Sequence, residues 1–254
     1  MLSTSNEDLK AQLVAQCLEI FPEAQGLLLW GGSVTPDFSP EVNDIDVIIE
    51  IDTDFTHEVV LAERLKTLVQ GCTFCRLDPF VYLTGSAHEE PLEFIAPFGF
   101  YKANPFIPYL IQNQHELIYG QSRLLKKLPV VTLSQALFGI LPQVMGALKR
   151  LRMDAQVEQT WLPLLSKHKS YFFVIVRTYF AFEQGGVGSK QESLRFLAKK
   201  FPKYGSIVDR LNASLQSPSA QPETSDEPSA ELVLEFVRDM ETSLQAAKQR
   251  ETVH

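Results

Sequence analysis

The residues with the clearest chemical promise are Gly31-Gly32-Ser33 and, eleven positions beyond Ser33, Asp44-Ile45-Asp46. The first group closes an apolar run, Leu27-Leu28-Leu29-Trp30, and the second opens another, Asp-Val-Ile-Ile-Glu-Ile over Asp46–Ile51. Strand alternation puts Asp44 and Asp46 on one face and turns Ile45 into the core. Two carboxylates held side by side at a strand mouth repel each other unless hard cations sit between them. Mg²⁺ suits that role, because it takes protein carboxylates together with phosphate oxygens. The Gly-Gly turn lets backbone approach a phosphate closely, and Ser33 adds a hydroxyl donor. Lys190, at the start of a helical pattern, joins its ammonium to a helix N-terminus and favours an anion there.

These groups need elements to hold them. Apolar residues at Leu9, Leu13, Val14, Cys17, Leu18 and Phe21 predict a helix capped at Ser5 or Asn6 and stopped by Pro22. Gly26–Trp30 and Asp46–Ile51 read as buried strands, separated by a Gly/Ser/Pro/Asp-rich loop. A helix over His57–Gln70 follows, then strands over Thr73–Leu83 and Leu92–Phe98. Beyond Pro105 the periodicity turns helical, with helices over Pro108–Tyr119, Leu133–Leu151, Tyr171–Gln184, Gln191–Phe201, Gly205–Leu215 and Ala230–Lys248, the second kinked at Pro142. Residues 217–229 read as a low-complexity, mobile linker. The fold class is α+β: a small mixed sheet with helices over 1–122, followed by an all-α helical bundle over 123–254.

The chain has 254 residues, 45% hydrophobic and 21% charged, values that exclude a disordered chain, a collagen-like fibre and a disulfide-stapled miniprotein. No apolar run reaches the ~18 residues of a membrane span, and the N-terminus lacks a signal-peptide pattern. Three cysteines, Cys17, Cys72 and Cys75, fit a reducing cytoplasm. The net charge of −8 is unevenly spread. Residues 1–120 hold 5 Lys/Arg against 18 Asp/Glu, residues 121–210 hold 15 against 5, and residues 211–254 hold 3 against 8. The expectation is an acidic lobe for metals and a basic lobe for an anion.

The order of apolar strand, Gly-Gly-Ser, about ten residues and Asp-x-Asp in an apolar strand resembles the DNA polymerase β-like nucleotidyltransferases. Gly32, Ser33, Asp44 and Asp46 match that motif one by one. The resemblance implies a third carboxylate on a later strand. Glu93, in Pro91-Leu92-Glu93-Phe94-Ile95, looks like the third acid of the aminoglycoside (streptomycin/spectinomycin) adenylyltransferase branch, where it is the catalytic base. Asp78 competes, but Pro79 marks a strand edge or turn there. Glu89 and Glu90 read as solvated turn residues. His115–Gly120 resembles the helix end, Leu-x-Gly, that closes the branch's first domain. Arg177, Gly185-Gly186, Lys190 and Pro202 follow the order of its C-terminal landmarks, where the lysine contacts the nucleotide phosphates. The chain departs from the branch at Lys167-His168-Lys169, where the aminoglycoside enzymes carry acids. That triplet argues against a cationic acceptor, although Asp37, Glu41, Glu89 and Glu90 offer negative charge elsewhere.

Cys72-x-x-Cys75 lacks a second Cys/His pair at ligand spacing and opens a strand, so it reads as an inert pair. His57, His88 and His115 are scattered. The basic clusters are short and lack an aromatic platform, which argues against nucleic acid. The expected activity is transfer of a nucleoside monophosphate, AMP from ATP, to a hydroxyl of a small acceptor with two Mg²⁺ ions. Asp44, Asp46 and Glu93 are the expected catalytic and metal residues. Gly32, Ser33, Lys190 and Arg177 are the expected nucleotide contacts. The expected partners are a nucleoside triphosphate and the acceptor, with no membrane, in a monomer or small homo-oligomer. A protein or RNA acceptor of the toxin–antitoxin type, or a silent nucleotide-binding relative, are the alternatives.

Overall fold

A computed structural model of the chain describes residues 6–36, 38–39, 43–52, 58–85, 92–157, 161–216 and 229–252. Ser5, Asp37, Glu41, His57, His88, Glu89, Glu90 and all but the last residue of the expected linker lie outside them. The chain divides into two compact units, Met1–Val131 and Thr132–His254. The architecture is α+β, with the sheet in the first unit and helices in the second.

The first unit opens with α1 (Asn6–Ile20), which buries Leu9, Leu13 and Cys17 at four-residue spacing. Strands β1 (Ala24–Trp30), β2 (Asp44–Ile51), β3 (Arg76–Leu83), β4 (Glu93–Ala96), β5 (Gly99–Lys102) and β6 (His115–Gly120) form one sheet in the order β5-β4-β3-β2-β1-β6. β2 and β3 are parallel, joined through α2 (Glu58–Gly71), and the other pairs are antiparallel. Ile45, Val47, Ile49 and Ile51 of β2 enter one core with Leu9, Leu13 and Cys17 of α1 and Leu61, Leu65 and Leu68 of α2. The opposite sheet face therefore carries Asp44, Asp46, Ile48 and Glu50.

Two segments differ from the sequence expectation. Leu92–Phe98 is not one strand: Pro97 and Phe98 turn the chain, Gly99 takes φ +116°, and β5 returns beside β4. His115–Gly120 is a strand and not the end of a helix. The helix α3 (Phe106–Asn113) stops at Gln114, and the exposure of the following residues then alternates with period two. Leu, Ile and Tyr suit that half-covered edge.

β6 approaches β1 closely. Gly26 faces Gly120 in register, and Gly120 has φ +65°. A Cβ on Gly120 would lie 2.0 Å from the Gln25 carbonyl oxygen. Just beyond, Glu50 is fully buried and its carboxylate accepts the Ser122 hydroxyl, the Arg123 N–H at 2.8 Å and the Leu124 N–H at 3.0 Å. One acid thus fastens the chain after β6, including the short α4 (Leu124–Lys127), to the middle of the sheet.

The second unit contains α5 (Leu133–Val157), α6 (Trp161–Gln184), α7 (Lys190–Lys200), α8 (Gly205–Gln216) and α9 (Ala230–Thr252). α5 runs uninterrupted through Pro142; the break in helical backbone falls instead in α6, at His168 (φ −123°, ψ 18°). α9 packs on α5 and α6, and Phe236 meets Phe172 and Tyr204 at ring separations of 5.5 and 5.4 Å.

Gly120→Ala is expected to cost at least about 2 kcal/mol, since it adds left-handed strain to a backbone clash. Glu50→Ala strips acceptors from two backbone donors and is expected to cost about 2–5 kcal/mol. Urea unfolding of the full chain measures both.

Candidate functional site

The site begins at the parallel pairing of β2 and β3. Asp44 faces Arg76 in register, and Asp46 faces Asp78. Directly paired residues of neighbouring strands share a sheet face, so Asp44, Asp46 and Asp78 project from the same one. Arg76 Nε reaches Asp44 Oδ1 at 2.8 Å, an exposed ion pair. Burial pushes the Asp78 carboxyl above the usual carboxylate range, and the charge of Asp44 pushes it further. Tyr101 of β5 sits among the same charges: burial, then Asp78 and Asp46, raise its phenol. Tyr101 packs on Phe80 at 5.6 Å, and Phe80 meets Trp30 and Phe94 at 6.0 Å, so an aromatic floor adjoins the acids. The buried Trp30 indole N–H has no acceptor among the described residues.

Glu93 does not join this group. Val81 pairs with Ile95 antiparallel, which carries Glu93 toward the Leu83 end of β3, roughly 16 Å along the strand from Asp78. Ile95 and Val81 belong to the helix-covered core, so Glu93 lies on the face opposite Asp46. Its cross-strand partner is Lys102. The residue beside the Asp-x-Asp pair is Asp78. Pro79 marks a local edge, as expected: β4 turns away at Pro97, just where β3 reaches Pro79, so no strand on that side needs the missing N–H. That edge leaves Asp78 within β3 and open on one flank.

The Gly-Gly-Ser turn is one 3₁₀ turn, Gly31–Val34. Gly31 needs to be glycine for its φ of +63°. Gly32 does not: its φ is ordinary, and a Cβ there would meet nothing within 4 Å. Ser33 is buried, and its hydroxyl oxygen accepts the Asp46 N–H at 2.7 Å. This bond ties the turn to β2 and leaves the Ser33 hydroxyl hydrogen available to donate.

An all-oxygen donor set of three carboxylates suits Mg²⁺. Burial first, and then the charge of Asp44, raise Asp78, and carboxylates grouped on one face in this way fit a divalent cation by donor chemistry. As they stand, with Asp44 turned onto Arg76, no three acidic, His or Cys side chains among the described residues are close enough to hold one.

In the second unit, Ser189 caps α7 and forms a reciprocal capping box with Glu192. Lys190 is the first residue of α7, its ammonium 5.4 Å over the Phe173 ring. Arg177 of α6 donates from Nε to the Gly188 carbonyl at 3.2 Å, so it braces the loop leading to Lys190. The Lys167-His168-Lys169 triplet is engaged within the unit. Asp154 takes Arg150 at 3.0 Å, Lys167 at 3.3 Å and His168 at 2.6 Å, and Lys169 donates to the Ser214 carbonyl at 2.9 Å. One carboxylate among these cations leaves the group net positive.

No protein-family model matches the chain, and no curated protein matches it in sequence. Among solved structures, the fold is similar to that of spectinomycin adenyltransferase AAD(9) from Enterococcus faecialis, crystallised with ATP and spectinomycin. The TM-score is 0.63 at 12% identity, covering 93% of this chain and 98% of that one. The two chains thus share a fold over nearly their whole lengths. No helix among the described residues is long and apolar enough to cross a membrane.

Asp78 keeps its proton to higher pH in the folded chain than in the unfolded one. Stability from that proton is present below the unfolded-state carboxylate pKa and is lost as pH rises through the raised one. Asp78→Asn is therefore expected to raise the Tm of the metal-free chain at neutral pH. The gain should shrink as the pH falls through the carboxylate range, as read by thermal melts in EDTA.

Proposed function

We propose that the chain is a Mg²⁺-dependent nucleotidyltransferase that moves a nucleoside monophosphate, AMP from ATP, onto a hydroxyl of a small-molecule acceptor. The observation that carries the reading is the register that sets Asp78 beside Asp46, below a Gly-Gly-Ser turn bonded to the same strand. The similarity in fold to an adenyltransferase crystallised with ATP supports it.

In this reading Asp44 and Asp46 hold the metal ions and Asp78 completes the set, in the place first expected for Glu93. When bound, Mg²⁺ neutralises the triphosphate and polarises the acceptor hydroxyl. Asp78 takes the acceptor proton. The freed oxygen bonds to the α-phosphorus, the bond from that phosphorus to the bridging oxygen breaks, and pyrophosphate leaves. Ser33 donates its remaining hydroxyl hydrogen to a phosphate oxygen, and the open side of Gly32 admits the triphosphate to the backbone. Lys190 and Arg177 are the second unit's candidates for phosphate contact. Asp154 draws Lys167 and His168 into contacts within the unit and weakens the charge argument against a cationic acceptor, so spectinomycin belongs in the acceptor panel beside neutral and anionic hydroxyl compounds.

The test is incubation with labelled ATP, CTP, GTP or UTP, Mg²⁺ and that panel, read by acceptor mass. Asp44→Ala and Asp46→Ala are each expected to lower turnover by at least ~10²-fold, and Asp78→Asn by ~10²–10⁴-fold. Glu93→Gln should stay within about threefold of wild type, since nothing joins it to the acids. A large loss at Glu93 with none at Asp78 would return the base role to Glu93. Lys190→Ala should raise KM for the nucleotide more than it lowers kcat.

A further inference from the structure

The Cys72-x-x-Cys75 motif has a geometry that its spacing alone does not disclose. Gly71 ends α2, the Cys72 N–H closes the last turn onto the Leu68 carbonyl, and β3 begins at Arg76. Across this turn the Cys72 and Cys75 sulfurs lie 3.2 Å apart, and both side chains are half-exposed. Phe74, between them, packs against the core, which anchors the turn. A disulfide has sulfurs about 2.05 Å apart, so closure needs a shift of only about 1 Å. The third thiol, Cys17, is fully buried in α1, and burial pushes it up to about 12. Its burial sets it apart from the half-exposed pair.

We propose that Cys72 and Cys75 are a reversible dithiol–disulfide site that staples the turn into β3. A hydrogen bond joins the two sulfurs, with either as donor, and either thiol can make the first attack; with Cys72 attacking, the step is an ordinary thiol–disulfide exchange. With a low-molecular-weight disulfide such as oxidised glutathione, Cys72 loses its proton and its thiolate bonds to one glutathione sulfur. One glutathione thiolate leaves. Cys75 then loses its proton and attacks the Cys72 sulfur of the mixed disulfide, expelling the second glutathione thiolate. The two protein thiols are oxidised and one external disulfide is reduced to two thiols. The staple closes one residue before Arg76, the partner of Asp44, and three before Asp78. It therefore restrains the entry to the strand that carries both.

The test uses the full chain, equilibrated with oxidised or reduced glutathione, acid-quenched and alkylated. In oxidised glutathione, the expected result is a mass lower by two hydrogens before alkylation and loss of two of the three alkylatable thiols. Digestion should map the link to Cys72 and Cys75, and dithiothreitol should restore both thiols. Cys75→Ser should trap one glutathione on Cys72, and Cys17→Ala should leave the pair's oxidation unchanged. Backbone hydrogen exchange at Arg76–Asp78 should be slower in the oxidised chain. Three free thiols under oxidised glutathione, a glutathione retained by wild type, or a link involving Cys17 would overturn the site. Identical exchange at Arg76–Asp78 in the two forms would overturn the staple. None of these readouts depends on nucleotidyl transfer.

Discussion

Asp46 and Asp78 stand side by side in adjacent parallel strands, and two ionised carboxylates at that spacing repel each other. At about 5 Å and an effective dielectric of about 20 the cost is roughly 3 kcal/mol. The sheet tolerates it because both strands are fixed by other forces. The Ile45, Val47, Ile49 and Ile51 side of β2 is buried under α1 and α2, and β3 is held to β2 along its full length. A one-residue slip would drive the acids into that core and the isoleucines out, so the hydrophobic pattern holds the acids in place against their own repulsion. Ser33 adds a local clamp, because its bond to the Asp46 N–H fixes the turn against the strand.

Three acids on the same face of β2 have different fates. Asp44, at the strand mouth, is about half exposed and paired with exposed Arg76. Asp46 is half-buried beside Asp78, whose carboxyl burial and the charge of Asp44 raise above the usual range. Glu50, four residues further in, is fully buried and accepts three hydrogen bonds. A buried acid whose two oxygens both accept hydrogen bonds contributes structure. Neighbouring acids on one sheet face are an environment that a cation stabilises. The strand thus separates a structural anchor from a candidate reactive cluster by a single aromatic-lined step at Ile48 and Phe80.

The turn and the Asp-x-Asp strand were legible in the sequence because both are local: Gly-Gly-Ser, alternation and apolar flanks all lie within twenty residues. Which acid stands beside that pair was not, because it depends on which strands pair and in what register. Glu93 and Asp78 each sit in an apolar run, and only the parallel pairing of β2 with β3 distinguishes them. Pro79 reported a real feature, a locally missing neighbour, that sequence reasoning took as a reason to set Asp78 aside. β5, and with it Tyr101, gave no sign because Gly99–Lys102 is only four residues long and lies just beyond Phe98, where the expected strand ended. The Glu50 anchor gave no local sign either, since its partners lie about seventy residues away.

Charge along the chain also differs from charge in space. Residues 121–210 are strongly basic, but the acidic segment that follows returns as α9 onto the same helices. Glu235 and Asp239 take Lys203 at 2.5 and 2.7 Å, and Glu241 takes Arg152. Glu183 holds both Lys200 and Arg250. Over residues 121–254 the balance is 18 Lys/Arg against 13 Asp/Glu, half the excess of the basic segment alone. Pairing lowers the positive field around these cations, and screening limits what remains to a Debye length of ~8 Å. On the proposed reading, an acceptor meets specific groups and their hydrogen bonds. Acceptor choice then has to be argued from individual groups: the hydroxyl of Ser33, the buried Trp30 indole N–H, which has no acceptor among the described residues, and the acids on the sheet face of Asp46.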